Sequence, residues 1–325
     1  MSSSPRRLRW TTAVALLFCG SAAIAQVYPT KPLRLVLPFP AGGSADVTAR
    51  VVGVRMGESL GQPIIVDNRV GGAGVIGSEA VARSAPDGYT IMFTPSITHI
   101  GPLFLAKSLP YDPIKDFTPI SAAAEAVSAL VVNNELPVSS VKELVELARR
   151  SPGKLTYSSA GVGSAFHLAG ELFRQAAGID IVHVPYKGAN QALTDLMNGN
   201  ISMTFSAIAS QLPLVRAGKV KLLAVLQNTR YVSMPNIPTV KETLPAFNRP
   251  ESWLGFFGPA GLPGPVLARL SGEVAKAVNL PDVRDKFEQD GLTPIGNTPE
   301  QFAAQVRVSV ESYGAAIKAA GLKPE

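Results

Sequence analysis

The sequence predicts an α/β protein of two doubly wound domains, joined by two hinge strands with a ligand cleft between them. Two blocks of short apolar runs alternate with amphipathic stretches closed by glycine, the pattern of strands alternating with helices. Two extended apolar runs, residues 129–133 and 253–257, bracket the second block, as expected of a chain that leaves one domain, builds another and returns. With 46% hydrophobic and 17% charged residues and no low-complexity tract, the composition is that of a folded globular chain and excludes disorder, a coiled coil or a collagen-like fibre. The domains are expected at 26–128 with 251–325, and at 129–250.

Residues 1–25 read as a signal peptide, cleaved before Gln26, and place the mature chain in the periplasm. They carry a basic start (Arg6, Arg7, Arg9), an apolar stretch at 13–18 and the small-x-small site Ala23, Ile24, Ala25. The stretch is broken by Gly20 and Ser21, and spanning a bilayer takes roughly 20 apolar residues. The single cysteine, Cys19, lies in this leader, so neither a disulfide nor thiolate chemistry is expected downstream. Three of the 30 basic residues lie there too, leaving a dispersed excess of three over the 24 acidic ones. Nucleic acid is therefore not an expected partner, because neutralising phosphates takes a concentrated basic face.

The elements follow in order. Residues 33–39 form an apolar run, a Gly loop follows, and Val47, Val51 and Val54 recur at helical spacing before Gly61. A strand at 64–67, a helix at 75–84 and a strand at 89–93 complete a βαβαβ unit with parallel strands. In the second unit Ser140 and Glu143 read as a capping box for a helix through Arg150. Strands at 155–159, 181–185, 201–205 and 220–226 then alternate with helices from near Ser164, Ala189 and Ala207, closed by Gly178, Gly199 and Gly218, which makes a second parallel sheet. Helices at 265–279, 282–290 and 298–320 end the chain, the last opened by a Thr298 cap, Pro299 at N1 and Gln301 at N3. The two hinge runs are expected to pair with each other, and Trp253, Phe173 and Phe205 to lie in the core.

Catalytic signatures are scarce. There is no G-x-S-x-G elbow and no HExxH, Gly-Lys is nowhere followed by Ser or Thr, and the three histidines, His99, His167 and His183, are scattered. Gly72-Ala-Gly74-Val-Ile-Gly77 matches G-x-G-x-x-G, yet Thr94, Pro95 and Ser96 stand where a ribose-binding acid should follow, so a structural turn is preferred. No catalytic residue, metal or cofactor is expected.

The stronger signal is a pair of loops where small residues and hydroxyls meet a helix start. In the first, Phe39, Ala41, Gly42, Gly43 and Ser44 precede Asp46, and first-turn amides could hold a carboxylate there without a Lys or Arg. In the second, Ser158, Ala160, Gly163 and Ser164 lead into the helix bearing His167, so each domain offers one anion-receptive loop. Ser164 can serve as cap and as ligand contact, and His167, in the first turn, is disfavoured as a cation and suits a neutral hydrogen-bonding role. Asp46 could meet a ligand amine, but Arg50 four residues on favours a structural role. Ser96, Thr98, Tyr186 and Ser206 each follow a strand at its carboxyl end, where ligands of open α/β sheets bind.

Six ordered motifs carry a resemblance over nearly all the chain after the leader. They are Tyr28-Pro-x-Lys-Pro-Leu-Arg34, Pro38-Phe-Pro-Ala-Gly-Gly-Ser-Ala-Asp46, Asp67-Asn-Arg-x-Gly-Gly-Ala-Gly74, Pro86-Asp-Gly-Tyr-Thr90, Tyr111-Asp-Pro-x-Lys-Asp-Phe117 and His183-Val-Pro-Tyr-Lys-Gly188. The sequence resembles the Bug-type extracytoplasmic solute-binding receptors of tripartite tricarboxylate transporters. The resemblance implies a type II periplasmic-binding fold that closes on a small ligand, no catalysis, and membrane transporter subunits as partners of a monomer. It also implies carboxylates held by first-loop amides and bridging waters, with second-domain side chains giving selectivity. Ser206 stands where many members carry Asp, and Gly101-Pro102 where they often have Asn-Pro. A mono- or dicarboxylate, aromatic acids included, is therefore expected rather than an amino acid, with an exported hydrolase using the same cleft as the alternative class.

Overall fold

The computed structural model describes residues 28–186 and 189–324; the leader and the Lys187-Gly188 end of the last motif lie outside the described residues. Strands β1 (Leu33–Leu37), β2 (Ile64–Asn68) and β3 (Thr90–Pro95) alternate with helices α1 (Ser44–Leu60) and α2 (Val75–Ala82), followed by α3 (Ser96–Ile100) and α4 (Pro102–Leu105). Then come β4 (Phe117–Ala126), β5 (Ser128–Asn133), α5 (Val141–Arg150), β6 (Thr156–Ser159), α6 (Ala165–Ala177), β7 (Val182–Pro185) and α7 (Ala189–Met197). After β8 (Met203–Ala207), α8 (Ile208–Arg216), β9 (Val220–Val225) and α9 (Val240–Thr243), the chain returns through β10 (Trp253–Pro259). It ends in α10 (Gly264–Val278), α11 (Pro281–Gln289), β11 (Leu292–Pro294) and α12 (Pro299–Ala319).

Two sheets result, one in the order β11-β4-β10-β3-β1-β2 and one in the order β7-β6-β8-β5-β9. Strict alternation splits the first core. Leu33, Leu35 and Leu37 pack under α1 and α10, while Val36 joins Met92, Trp253 and Phe257 beneath α12. The second sheet buries Leu130, Tyr157, Met203 and Phe205 against α5 and α6, and Ala129 and Val131 on the α7 and α8 side. Trp253, Phe173 and Phe205 are buried as expected, and Trp253 donates its indole N–H to Ser309 Oγ at 2.9 Å.

Three expectations change. Neither sheet is all parallel: β1, β2 and β3 are parallel, as are β6, β7 and β8, but β10 runs antiparallel to β3 and β4, and β5 antiparallel to β8 and β9. The reason is connectivity, since each crossing strand enters its sheet from the end that the parallel strands point toward. The hinge runs do not pair with each other either, because β5 belongs to the second sheet and β10 to the first. And β4, the longest strand, was not foreseen. Its FTPISAAAEA sequence holds Pro119 and four alanines, weak strand formers, and it is stabilised by burial between β10 and β11.

The caps follow the sequence more closely. Thr298 and Gln301 make a complete capping box with Pro299 at N1, and α6 ends on left-handed Gly178. Ser140 caps α5, but the Glu143 carboxylate reaches back one residue further, to the amide and hydroxyl of Ser139.

The G-x-G-x-x-G segment is a tight turn, Gly72–Gly74, in which even Ala73 takes φ 52°. It packs against the end of β1. A Cβ on Gly77 would sit 2.8 Å from the Arg69 carbonyl and 2.9 Å from Pro38 Cα, and one on Gly74 would sit 2.5 Å from Thr98 Cγ2. These glycines set how closely the turn approaches the loop that leaves β1. Gly77→Ala is expected to cost about 1–3 kcal/mol by overpacking against backbone that cannot move aside, read as a melting temperature lowered by several degrees.

Candidate functional site

The loops leaving β1 and β6 both run into helix starts at the carboxyl ends of parallel strands. The second loop lies against the first unit: a Cβ on Gly163 would lie 3.6 Å from Leu105 of α4.

In the first loop Ala41, Gly42, Gly43 and Ser44 are exposed and Phe39 is half-buried against the core. Gly43 is the N-cap of α1 and has no side chain to offer, so the first-turn amides have neither a helical carbonyl nor a capping oxygen. Asp46 is buried and fully engaged. Its Oδ2 accepts from the Gly42 amide at 3.1 Å and Arg50 Nε at 2.9 Å, and its Oδ1 from Arg50 Nη2 at 3.1 Å and Asn68 Nδ2 at 3.0 Å. Asn68 also donates to the Phe39 carbonyl at 3.1 Å, so the loop is tied to the end of β2. The Arg50 hydrogen bonds, foremost, hold the Asp46 carboxyl down at about 2. Asp46 therefore braces the loop, and the Gly42 amide is occupied by it.

The second loop is knitted by internal hydrogen bonds. Ser164 Oγ accepts from the His167 amide at 3.2 Å and donates to the Gly161 carbonyl at 2.7 Å, while the Ser164 amide donates to the same carbonyl at 3.2 Å. The Gly161 amide donates to Ser159 Oγ at 3.2 Å and the Gly163 amide to His167 Nδ1 at 3.2 Å. The two loops differ in their caps: Gly43 brings no side-chain acceptor to α1, whereas Ser164 is engaged as the cap of α6. His167 is buried, and because its Nδ1 accepts, the neutral ring carries its proton on Nε2.

The histidines are less scattered in space than in sequence. His167 stacks on His183 with ring centroids 4.1 Å apart, and His183 stacks on Tyr157 at 4.8 Å. His183 Nε2 meets Ser159 Oγ at 2.7 Å. Burial, then the neighbouring His167, pushes His183 down to about 4, and burial lowers His167. The signal was in the register, since parallel pairing sets Tyr157 beside His183. The Asp46–Arg50 pair is the structural tie the sequence suggested; Asn68 was missed as a loop brace, although it falls within one of the quoted motifs.

The remaining candidates disperse. Ser96 Oγ, buried, donates to the Glu251 carbonyl at 2.9 Å and lies 2.8 Å from Tyr313 Oη. Tyr186 donates to Asp195 at 2.6 Å, and Ser206 Oγ accepts from Gln211 Nε2 at 2.8 Å. Thr98 is half-buried beside Gly74, Ala160 is exposed, and buried Ser158 Oγ has no partner among the described residues. Neither Ser158 nor Ser164 is bonded to the His167 ring among the described residues, so the nucleophile and base expected of the hydrolase alternative are not paired. Among the described residues no three His, Cys, Asp or Glu side chains gather as a metal site, and no helix is long and apolar enough to cross a membrane.

Two sheets linked by crossing strands are a fold this chain shares with known proteins. The family model described as "Tripartite tricarboxylate transporter family receptor" matches residues 48–322. The chain belongs to that family. It is 32% identical to Protein BugT of Bordetella pertussis over 96% of this chain and 97% of the relative. Among solved structures it is similar to R. palustris Rpa4515 with adipate, at 33% identity and TM-score 0.78 over 92% of this chain and all of that one. It is also similar to MatC of Rhodopseudomonas palustris with bound malate, at 30% identity and TM-score 0.72 over 89% of this chain and all of that one. The receptor is thus of the Bug type, has the two-domain periplasmic-binding fold and is a solute-binding protein, not an enzyme; the hydrolase alternative falls.

His99, apart from the loops, is wholly buried with its ring stacked 4.2 Å from Phe257, and among the described residues neither nitrogen makes a well-formed hydrogen bond, the Pro113 carbonyl being only a weak contact. Burial pushes it from 6.5 down to about 4, against a smaller pull from the Pro113 carbonyl. A depressed histidine leaves the unfolded chain to take the proton first. Stability contributed by His99 and His183 is therefore complete above pH 6.5 and declines as pH falls towards about 4. Melting temperature should drop across that interval, and His99→Phe should flatten part of the drop in a series of melts.

Proposed function

We propose that the receptor captures a small organic carboxylate, a mono- or dicarboxylate with aromatic acids included, in the periplasm after its leader is cleaved. It would do so as a monomer, by closure of two domains at 26–128 with 251–325 and at 129–250, and deliver the ligand to membrane subunits of a tripartite transporter or to a sensor. The observation that carries this is the braced first loop with exposed Gly43 and Ser44 at the start of α1, where amides without carbonyl partners meet the positive end of the helix dipole. The adipate and malate of the two similar structures support a carboxylate as the ligand class.

The first carboxylate sits on the Gly43 and Ser44 side, and His167 Nε2–H supplies a neutral donor from the second unit. With Gly42 and Gly163 amides engaged internally, their part is to shape the loops. Ser206, free of charge, leaves no counter-ion for a ligand amine, which favours plain acids over amino acids.

The leaderless protein, refolded to strip retained ligand, is to be melted against mono-, di- and tricarboxylates, aromatic acids, amino acids and nucleotides. A true ligand at a hundredfold excess over its dissociation constant stabilises the fold by about 2.7 kcal/mol. Stabilisation confined to carboxylates and recovery of the ligand unchanged are expected; response to nucleotides alone would sink the reading. His167→Ala should weaken the carboxylate so identified by roughly tenfold, the worth of one donor to a charged group, measured by calorimetry. Asp46→Asn should weaken it as well, by releasing the Gly42 amide and the Arg50 tie.

A further inference from the structure

The chain passes between the sheets at one residue on the way out. Val127 stands between β4 and β5, its amide donating to the Gly291 carbonyl of the first unit at 2.8 Å and its carbonyl accepting from the Ile208 amide of the second at 2.9 Å. Its neighbours are equally tied. The Ala126 amide donates to the Ser252 carbonyl at 2.9 Å, Gln227 Nε2 donates to the Ala126 carbonyl at 2.8 Å, and the Leu226 amide donates to the Ser128 carbonyl at 2.8 Å. With its backbone groups paired, this crossing has little freedom of its own, and the angle between the units is left to the side chains that bridge it.

Arg249 is that bridge. Its guanidinium is buried and donates from Nε to the Leu226 carbonyl at 2.9 Å, from Nη1 to the Pro250 carbonyl at 3.0 Å and Ser252 Oγ at 2.7 Å, and from Nη2 to Glu125 Oε1 at 3.3 Å. These acceptors lie on the end of β9, on the returning segment before β10, and on the end of β4 before Val127. A planar fork of donors at fixed angles holds three chain segments in one relative orientation, which a lysine could not do. The returning segment is tied in turn to the first unit: Gln305 of α12 donates to the Glu251 carboxylate at 2.7 Å, and Ser96 Oγ donates to the Glu251 carbonyl.

We infer that Arg249 is the positioning residue of the hinge, fixing the angle between the two units of the ligand-free receptor, and that Ser96 serves this hinge through Glu251 instead of meeting the ligand. The inference rests on the reading that ligand is captured by closure. A ligand binds with an apparent affinity scaled by the fraction of molecules in the competent arrangement, so a loosened hinge weakens binding without touching the ligand.

The test uses the whole leaderless chain, which holds no cysteine after Cys19, with spin labels on Ala85→Cys and Lys142→Cys, one exposed site in each unit. Dipolar distances are measured without ligand in the parent, in Arg249→Gln, in Glu125→Gln and in Ser96→Ala. A narrow distribution is expected in the parent, a broadened or displaced one in Arg249→Gln, and smaller changes of the same kind in the other two. Glu125→Gln keeps an oxygen acceptor and decides the matter should Arg249→Gln fail to fold. Unchanged distributions in every folded variant would overturn the inference. Affinity for adipate and malate is then measured in the same proteins: a displaced distance with no binding of any acid, parent included, leaves the hinge standing and removes the capture reading.

Discussion

A strand that delivers its chain into a helix leaves the first amides of that helix without carbonyls, and the two units of this receptor settle such ends differently. At α6 the answer is internal. Ser164 caps, Gly161 and Gly163 turn left-handed at φ 109° and 77°, and His167 accepts from the loop that precedes it. At α1 the cap is a glycine, and the Asp46 carboxylate in its first turn accepts from Gly42, Arg50 and Asn68. One helix start is capped by its own serine, and the other carries no cap and is steadied by a braced loop.

The second unit contributes a stack of rings instead of amides. Tyr157, His183 and His167 lie face to face, and Tyr157 donates to Glu171 at 2.6 Å, which is in turn paired with Arg174. Burial favours the uncharged form of both imidazoles. In the ligand role proposed above, a neutral donor in a wall of aromatic faces would discriminate by geometry, because a misplaced acceptor gains no long-range Coulomb attraction to compensate. Charge is kept one layer back, in Glu171 and Arg174.

Much of this was legible in the sequence, and what was not has identifiable causes. Helix caps could be read residue by residue because their chemistry is local: Thr298 with Gln301, Ser164, Gly178. The loops at 39–46 and 158–164 could be located because glycine, serine and a helix start fall together. The alanine-rich β4 could not be, since nothing in four alanines and a proline announces a strand, and only its neighbours β10 and β11 supply the reason for it. The orientation of the crossing strands was likewise out of reach, because direction depends on which end of a sheet the chain meets. Ser96, Tyr186 and Ser206 show the same limit at the scale of a hydroxyl. Position at a strand end was readable, whereas the partners that engage them, Glu251, Asp195 and Gln211, come from other elements.

The last helix belongs to the first sheet but does not stay with it. Leu168 of α6 sits in the cluster that holds Phe302, Val306 and Tyr313 of α12, and Gln175 donates to the Ala319 carbonyl near that helix's end. Movement of one lobe on the other must therefore drag interlocked side chains past each other, and close-packed surfaces have a few favoured registers with barriers between them. Closure of the kind proposed above would then step between a few packed arrangements instead of bending by degrees.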